Sequence, residues 1–209
     1  LNMNRENSFR ISIFEPNLEI EKSKIQKTSL HTMSTPPQIT PNEYFKFWKK
    51  SCIRDDFTPQ YFTLGLVEEI SEVLEEMTQK SVDASRVVKE IGDVLWYTVG
   101  LIQVNGWSLE DIIGESWKTQ ATTVAISTSD LVILGGAIAG RLKKFDRGDY
   151  PLTKLREYLK PLLLRVLSHL NAIATQVGCD TLESAAYYNR EKISRRLAAN
   201  TLKGDGSDR

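Results

Sequence analysis

Histidine and cysteine are nearly missing from this chain of 209 residues, which has only His31, His169, Cys52 and Cys179. Two cysteines far apart, outside any Cys-x-x-Cys or Cys/His pattern, exclude a zinc knuckle and fit a reducing compartment. Two histidines are too few for a His-based metal centre or a catalytic triad. His169 lies in an apolar stretch and reads as a satisfied core or flanking residue. Net charge is missing too, since 27 Lys and Arg balance 27 Asp and Glu. There is no broad basic field for nucleic acid or an anionic membrane, so any phosphate-bearing ligand must be neutralised locally. No apolar run approaches a membrane span. GxxxxGK[ST] and GxGxxG are both absent, and Gly135-Gly136 falls inside a helical pattern, which excludes a P-loop enzyme.

What the chain does have is carboxylates in two pairs. Glu69 and Glu72 stand in LGLVEEISEVLEE, and Glu90 and Asp93 stand in VVKEIGDVLWYTVG. An i,i+3 spacing puts both acids of a pair on one helix face, about 60° apart around the axis. Gln79 to Ala84 breaks the pattern between the pairs, so the two helices can turn back as an antiparallel hairpin and bring four acids together. Four anions so placed repel one another unless a hard cation lies between them, and oxygen ligands suit Mg²⁺ or Mn²⁺. Acidic i,i+3 pairs are also common on solvated helices, and Glu75 and Glu76 read that way. The second pair is different, because Val87, Val88, Ile91, Val94, Leu95, Trp96, Tyr97, Val99, Leu101 and Ile102 make its helix apolar nearly all round. Glu90 and Asp93 are therefore desolvated, at a cost that a cation or hydrogen-bond donors must offset. Gly92 between them weakens the helix, which is tolerable if something approaches closely there.

The organisation is all-α. Residues 1–39 are rich in Asn, Ser, Lys and Glu, end in STPPQITP, and are expected to be disordered. No signal-like apolar run occurs there, so a cytoplasmic location is the default, and Met33 offers a translation start. From Thr40 onward the apolar period is helical. Thr40, Pro41 and Glu43 open a helix to about 54, followed by helices at about 59–79 and 84–105. Ser108 and Asp111 cap a short helix to about 119, and Thr122 to Ser129 is a linker. Three more helices are predicted at about 130–145, 152–176 and 181–199, with Pro161 kinking or splitting the middle one.

The two halves align at an offset of about 72 residues, so that Asn-Gly-Trp-Ser falls on Val-Gly-Cys-Asp. This divides the ordered chain into repeats at 40–121 and 128–209, read as helical hairpins from one ancestor. In the second copy Asp93 falls opposite Arg165 and Glu90 opposite Leu162, while Glu69 and Glu72 fall opposite apolar or small residues. Only the first copy can hold a metal.

GLVEEISE followed by EIGD is similar to the EExxE…ExxD motif of the MazG-like, all-α nucleoside triphosphate pyrophosphohydrolases. Asn189, Lys192 and Arg195 in NREKISRR, followed by GDGSDR, resemble that family's C-terminal basic segment. A whole degenerate repeat intervenes here between the acidic and the basic motif. The resemblance implies a helical bundle in which Glu69, Glu72, Glu90 and Asp93 hold Mg²⁺, with Mn²⁺ an option, for cleavage of a nucleoside triphosphate to monophosphate and pyrophosphate. It implies that Asn189, Lys192 and Arg195 bind the substrate. Lys192 and Arg195 read equally well as basic residues complementing a helix end. Glu68 either orients water or is a solvated helix residue. Trp48, Trp96, Trp107 and Trp117 either stack on a base or belong to the core. The competing reading is a non-catalytic helical module that binds a nucleotide or a partner, motivated by the lost acids of the second copy. A homo-oligomer formed through a remaining apolar face is compatible with both.

Overall fold

The computed structural model describes residues 25–26, 39–54, 56–114, 117, 128–179 and 181–201. Helices dominate, as the apolar period predicts: α1 (Pro41–Ser51), α2 (Pro59–Thr78), α3 (Ala84–Val104), α4 (Glu110–Ile113), α5 (Thr128–Asp146), α6 (Leu152–Gln176) and α7 (Leu182–Ala198). Local chemistry sets most of their starts. Thr40 and Glu43 form a reciprocal capping box at α1, and Pro41 supplies the preset φ of a first helical turn. The Thr58, Asp83 and Thr181 side chains accept backbone N–H bonds at the starts of α2, α3 and α7.

Four long helices form a ring, with α2 against α3, α3 against α6, α6 against α5 and α5 back against α2. Their inward stripes, among them Phe62, Leu66, Ile70, Val87, Ile91, Val94, Leu134, Ile138, Leu159, Leu163 and Val166, are almost entirely buried and make one continuous core. Helix α7 packs across α3 and is flanked by α1, so the C-terminal helix lies on the outer side of the acid-bearing hairpin. Within that hairpin a Cβ on Gly65 would lie 2.1 Å from the Tyr97 ring, and one on Gly100 2.2 Å from the Phe62 ring. The missing side chains let two aromatic rings lie directly on the facing backbones, which fixes the spacing of α2 and α3.

The two hairpins share more than their helix count. Trp107 N–H donates to the Ile102 carbonyl and Gly106 N–H to that of Gln103, and 72 residues later Cys179 donates to Ala174 and Gly178 to Thr175. Both turn glycines have positive φ, +77° and +97°. Buried Phe62, Leu66 and Ile70 correspond at that offset to buried Leu134, Ile138 and Leu142. In this register Glu69 and Glu72 fall opposite Arg141 and Lys144, so the expectation of apolar or small residues there is corrected. Three of the four acids thus have basic counterparts.

Other departures are local. Of the N-terminal segment expected to be disordered, Ile25–Gln26 (β1) pairs in parallel with Val82–Asp83 (β2), and Ile39 is buried. The rest of that expectation lies outside the described residues, as does the linker from 122 to 127. Thr128 and Ser129 already belong to α5. The Ser108–Asp111 capping bonds form, but α4 stops at Ile113 because Gly114 turns the chain at φ +73°, rather than running to 119. Helix α6 continues through Pro161, which neither splits it nor ends it. His169 is buried and its Nδ1 donates to the Arg165 carbonyl at 2.8 Å, as a satisfied core residue should. Cys52 and Cys179 form no disulfide.

Candidate active site

Three of the four predicted acids converge. One carboxylate oxygen each from Glu69, Glu72 and Glu90 lies within 4.8 Å of the others, all on half-buried side chains. The i,i+3 spacing of Glu69 and Glu72 aims both from α2 across the hairpin at Glu90 on α3. Burial is the main force on their protonation. It pushes the Glu69 carboxyl up to about 9, helped by the charges of Asp93, Glu72 and Glu90 and opposed by Lys192. Glu90 is pushed up to about 7, again by burial first and then by Asp93, with a hydrogen bond to Glu72 adding to the shift.

Asp93, the fourth acid, is held beside the cluster by α7. Lys192 Nζ pairs with its Oδ2, and Asn189 Nδ2 donates to its Oδ1 at 2.8 Å. The Tyr44 hydroxyl on α1 donates to Asn189 Oδ1 at 2.7 Å. Burial, and then the charge of Asp93, hold the Tyr44 phenol well above its usual range, so it remains a donor. Gly92 has the role its position suggests: a Cβ there would lie 2.8 Å from Asn189 Cβ and 3.0 Å from the Ala185 carbonyl oxygen. Helix α7 can reach Asp93 only because Gly92 has no side chain.

Next to the acids opens a cavity of about 420 Å³ whose lining includes Glu69, Asp93 and Lys192 together with Phe57, Tyr61, Trp96 and Tyr97. Phe57 and Tyr61 stack with ring centroids 4.0 Å apart, and Trp96 meets Tyr97 edge to face. Trp96 Nε1 donates to Ser51 Oγ and Trp48 Nε1 to the Trp96 carbonyl, which ties this wall to α1. Trp48 and Trp117 are core residues, and Trp107 lies on a separate cavity bordered by Arg156 and Lys160. Of the four tryptophans, only Trp96 lines the acidic cavity.

The remaining sequence candidates divide. Glu68 is exposed and outside the acidic cluster. Lys192 lines the cavity, whereas Arg195 is exposed with its Nε on the Glu191 carbonyl and is not part of the lining. Arg196 takes the place expected for it. The helical wheel contained that signal: at about 100° per residue, Arg196 falls between Asn189 and Lys192, and Arg195 lies about 60° beyond Lys192. Tyr44, Phe57, Tyr61 and Tyr97 were not singled out by the sequence, because nothing local separates an aromatic that lines a cavity from one that fills a core.

The donor set tests well against a divalent cation. It is all oxygen, as hard ions require, and two of its carboxyls hold protons well above the usual range, through burial first and the charges of neighbouring acids second. No helix among the described residues is long and apolar enough to cross a membrane. No curated protein and no solved structure matches the chain. Residues 57–119, the segment that builds α2, α3 and all four acids, match the MazG nucleotide pyrophosphohydrolase domain, and in this segment the chain is similar to that family.

Proposed function

We propose that this protein is a divalent-metal-dependent hydrolase that cleaves a nucleoside triphosphate to the monophosphate and pyrophosphate. The observation that carries this reading is the adjacency of three converging carboxylates, a lysine and an aromatic-walled cavity in one site. Glu69, Glu72 and Glu90, with Asp93 beside them, would hold Mg²⁺ or Mn²⁺. When bound, such an ion polarises a phosphoryl group and lowers the pKa of water.

The other residues have separable tasks. Lys192 Nζ places a positive charge where the acids meet the cavity, suited to phosphate oxygens, and Arg196 adds a second along the same wall. Trp96, Tyr97, Tyr61 and Phe57 offer flat apolar faces for a base. Acids come from the first hairpin and Lys192 and Arg196 from α7, while Arg54, already paired with Asp56, adds a cation from the first half, so the site draws on both halves of the chain. A duplicated hairpin whose second copy exchanged its acids for Arg141, Lys144 and Arg165 accounts for this division, because one of two related sites is enough.

The test is to incubate the purified protein with a panel of nucleoside triphosphates and Mg²⁺ and to measure pyrophosphate and orthophosphate separately. Pyrophosphate release that stops with chelator is the expected result. Release of orthophosphate alone overturns the bond assignment, and nucleotide binding without turnover favours the non-catalytic module.

A further inference from the structure

Asn189 departs furthest from what its sequence motif implies. It is expected to bind substrate, yet it is 2% exposed and does not line the cavity. Its amide bridges two buried groups on different helices, Tyr44 on α1 and Asp93 on α3. Only one orientation satisfies both bonds. An ionised carboxylate only accepts, so the amide nitrogen must face Asp93, the amide oxygen must face Tyr44, and the phenol must donate. Tyr44 is itself fully buried, and its ring meets the edge of Trp117 at a centroid distance of 5.8 Å. The hydroxyl is therefore a fixed point set by the core. Asn189 is pinned from the other side by its close seat over Gly92.

We propose that Tyr44 and Asn189 form a relay of positioning residues that holds the Asp93 carboxylate beside the Glu69, Glu72 and Glu90 cluster, with Tyr44 acting through Asn189. This rests on the proposed function, in which Asp93 serves a metal site. The relay makes a specific demand on the fold: α1, outside the four-helix ring and carrying none of the acids, sets the geometry of an acid on α3. Without the hydroxyl the amide keeps only its bond to Asp93 and loses the anchor that fixes its plane, so the donor that orients the Asp93 carboxylate is held less firmly.

The experiment uses the full chain as wild type, Tyr44→Phe, Asn189→Ala and the double variant. Mn²⁺ alone is titrated and read by electron paramagnetic resonance. The side-chain amide signals of Asn189 are followed by NMR in metal-free, ¹⁵N-labelled protein. Tyr44→Phe should weaken Mn²⁺ binding by about ten-fold, within the range for groups that orient metal ligands, and should move the Asn189 amide signals. Asn189→Ala should weaken binding at least as much, and the double variant no further than Asn189→Ala. Unchanged Mn²⁺ affinity and unmoved amide signals in Tyr44→Phe would overturn the relay, as would effects that multiply in the double variant. If Tyr44→Phe does not fold, Asn189→Ala alone decides: undiminished Mn²⁺ affinity in that variant overturns the relay. If the wild type binds no Mn²⁺, the metal reading itself falls. If the wild type binds but Tyr44→Phe is unaltered, only the relay falls.

Discussion

Lys192 of α7 is paired with Asp93 of α3, with side chains 23% and 15% exposed, at the place where the acidic cluster meets the cavity. The contact gives Asp93 a direct ion pair, while its charge still raises Glu69 and Glu90. Glu69, Glu72 and Glu90 repel one another, whereas Asp93 already has a counter-charge from the second half of the chain. Acids of one motif therefore differ in what they do to stability.

Neutralising one acid should have opposite effects at the two kinds of position. Glu69→Gln removes a crowded, desolvated carboxyl and should raise the metal-free melting temperature by a few degrees at about pH 8. Asp93→Asn leaves Lys192 without its partner and should destabilise the fold by about 1–2 kcal/mol, below the loss for a fully buried pair because both groups keep some solvent. Both variants should lose turnover. Calorimetry of the two metal-free proteins checks the signs, and a shared sign would contradict the pairing.

Stability should depend on pH in a direction set by the same acids. Glu69 and Glu90 titrate at about 9 and about 7 in the fold, above the 4.5 of an ordinary glutamate. A raised carboxyl contributes stability that is fully present below about pH 4.5 and is lost as pH rises through its folded value. The metal-free melting temperature should therefore fall between about pH 5 and about pH 9. Saturating Mg²⁺ should flatten the curve, and Glu69→Gln should remove its upper part.

The two adjacent arginines of α7 should differ. Arg196→Ala takes a cation from the cavity wall and should weaken nucleotide binding by about 1.5 kcal/mol, the low end for charge-assisted bonds. Arg195→Ala should change KM by less than about two-fold, as an exposed residue bonded to its own helix should. Lys192→Ala should reduce kcat/KM by at least about ten-fold. Equal losses from both arginines would show that the substrate extends past the cavity.

Glycine substitutions probe the close approach of α7. Gly92→Ala puts a methyl group against Asn189 Cβ and a backbone carbonyl, neither of which can yield cheaply. It should cost about 1–3 kcal/mol and lower Mn²⁺ affinity as α7 lifts from α3. Gly136→Ala on α5 meets nothing within 4 Å and should stabilise the protein by up to about 1 kcal/mol through helix propensity. Thermal melts of both variants, with the Mn²⁺ titration, read the contrast.

The sequence by itself determined the features that depend on neighbours along the chain. Helix extents follow from apolar period and from caps such as Thr40 with Glu43 and Thr58 with Pro59, and the observed ends agree to within a few residues except at α4. The convergence of Glu69 and Glu72 with Glu90 was legible for the same reason, since an i,i+3 pair on each arm of a short hairpin leaves little choice of partner. Gly92 was legible as a point of close approach, although not what approaches it.

Tertiary structure alone decided what depends on contacts between distant helix faces. Asp93 meets Lys192 and Asn189 from nearly a hundred residues away, and Tyr44 meets Asn189 from farther still. Periodicity states that such a face is buried, without stating against which helix or in which register. That choice put Arg196 rather than Arg195 at the cavity and made Asn189 a buried bridge. Hydrophobic burial is non-directional and roughly proportional to area, so it assembles the bundle from pattern alone. Hydrogen bonds and ion pairs are short-ranged and directional, and their partners exist only once the helices have packed.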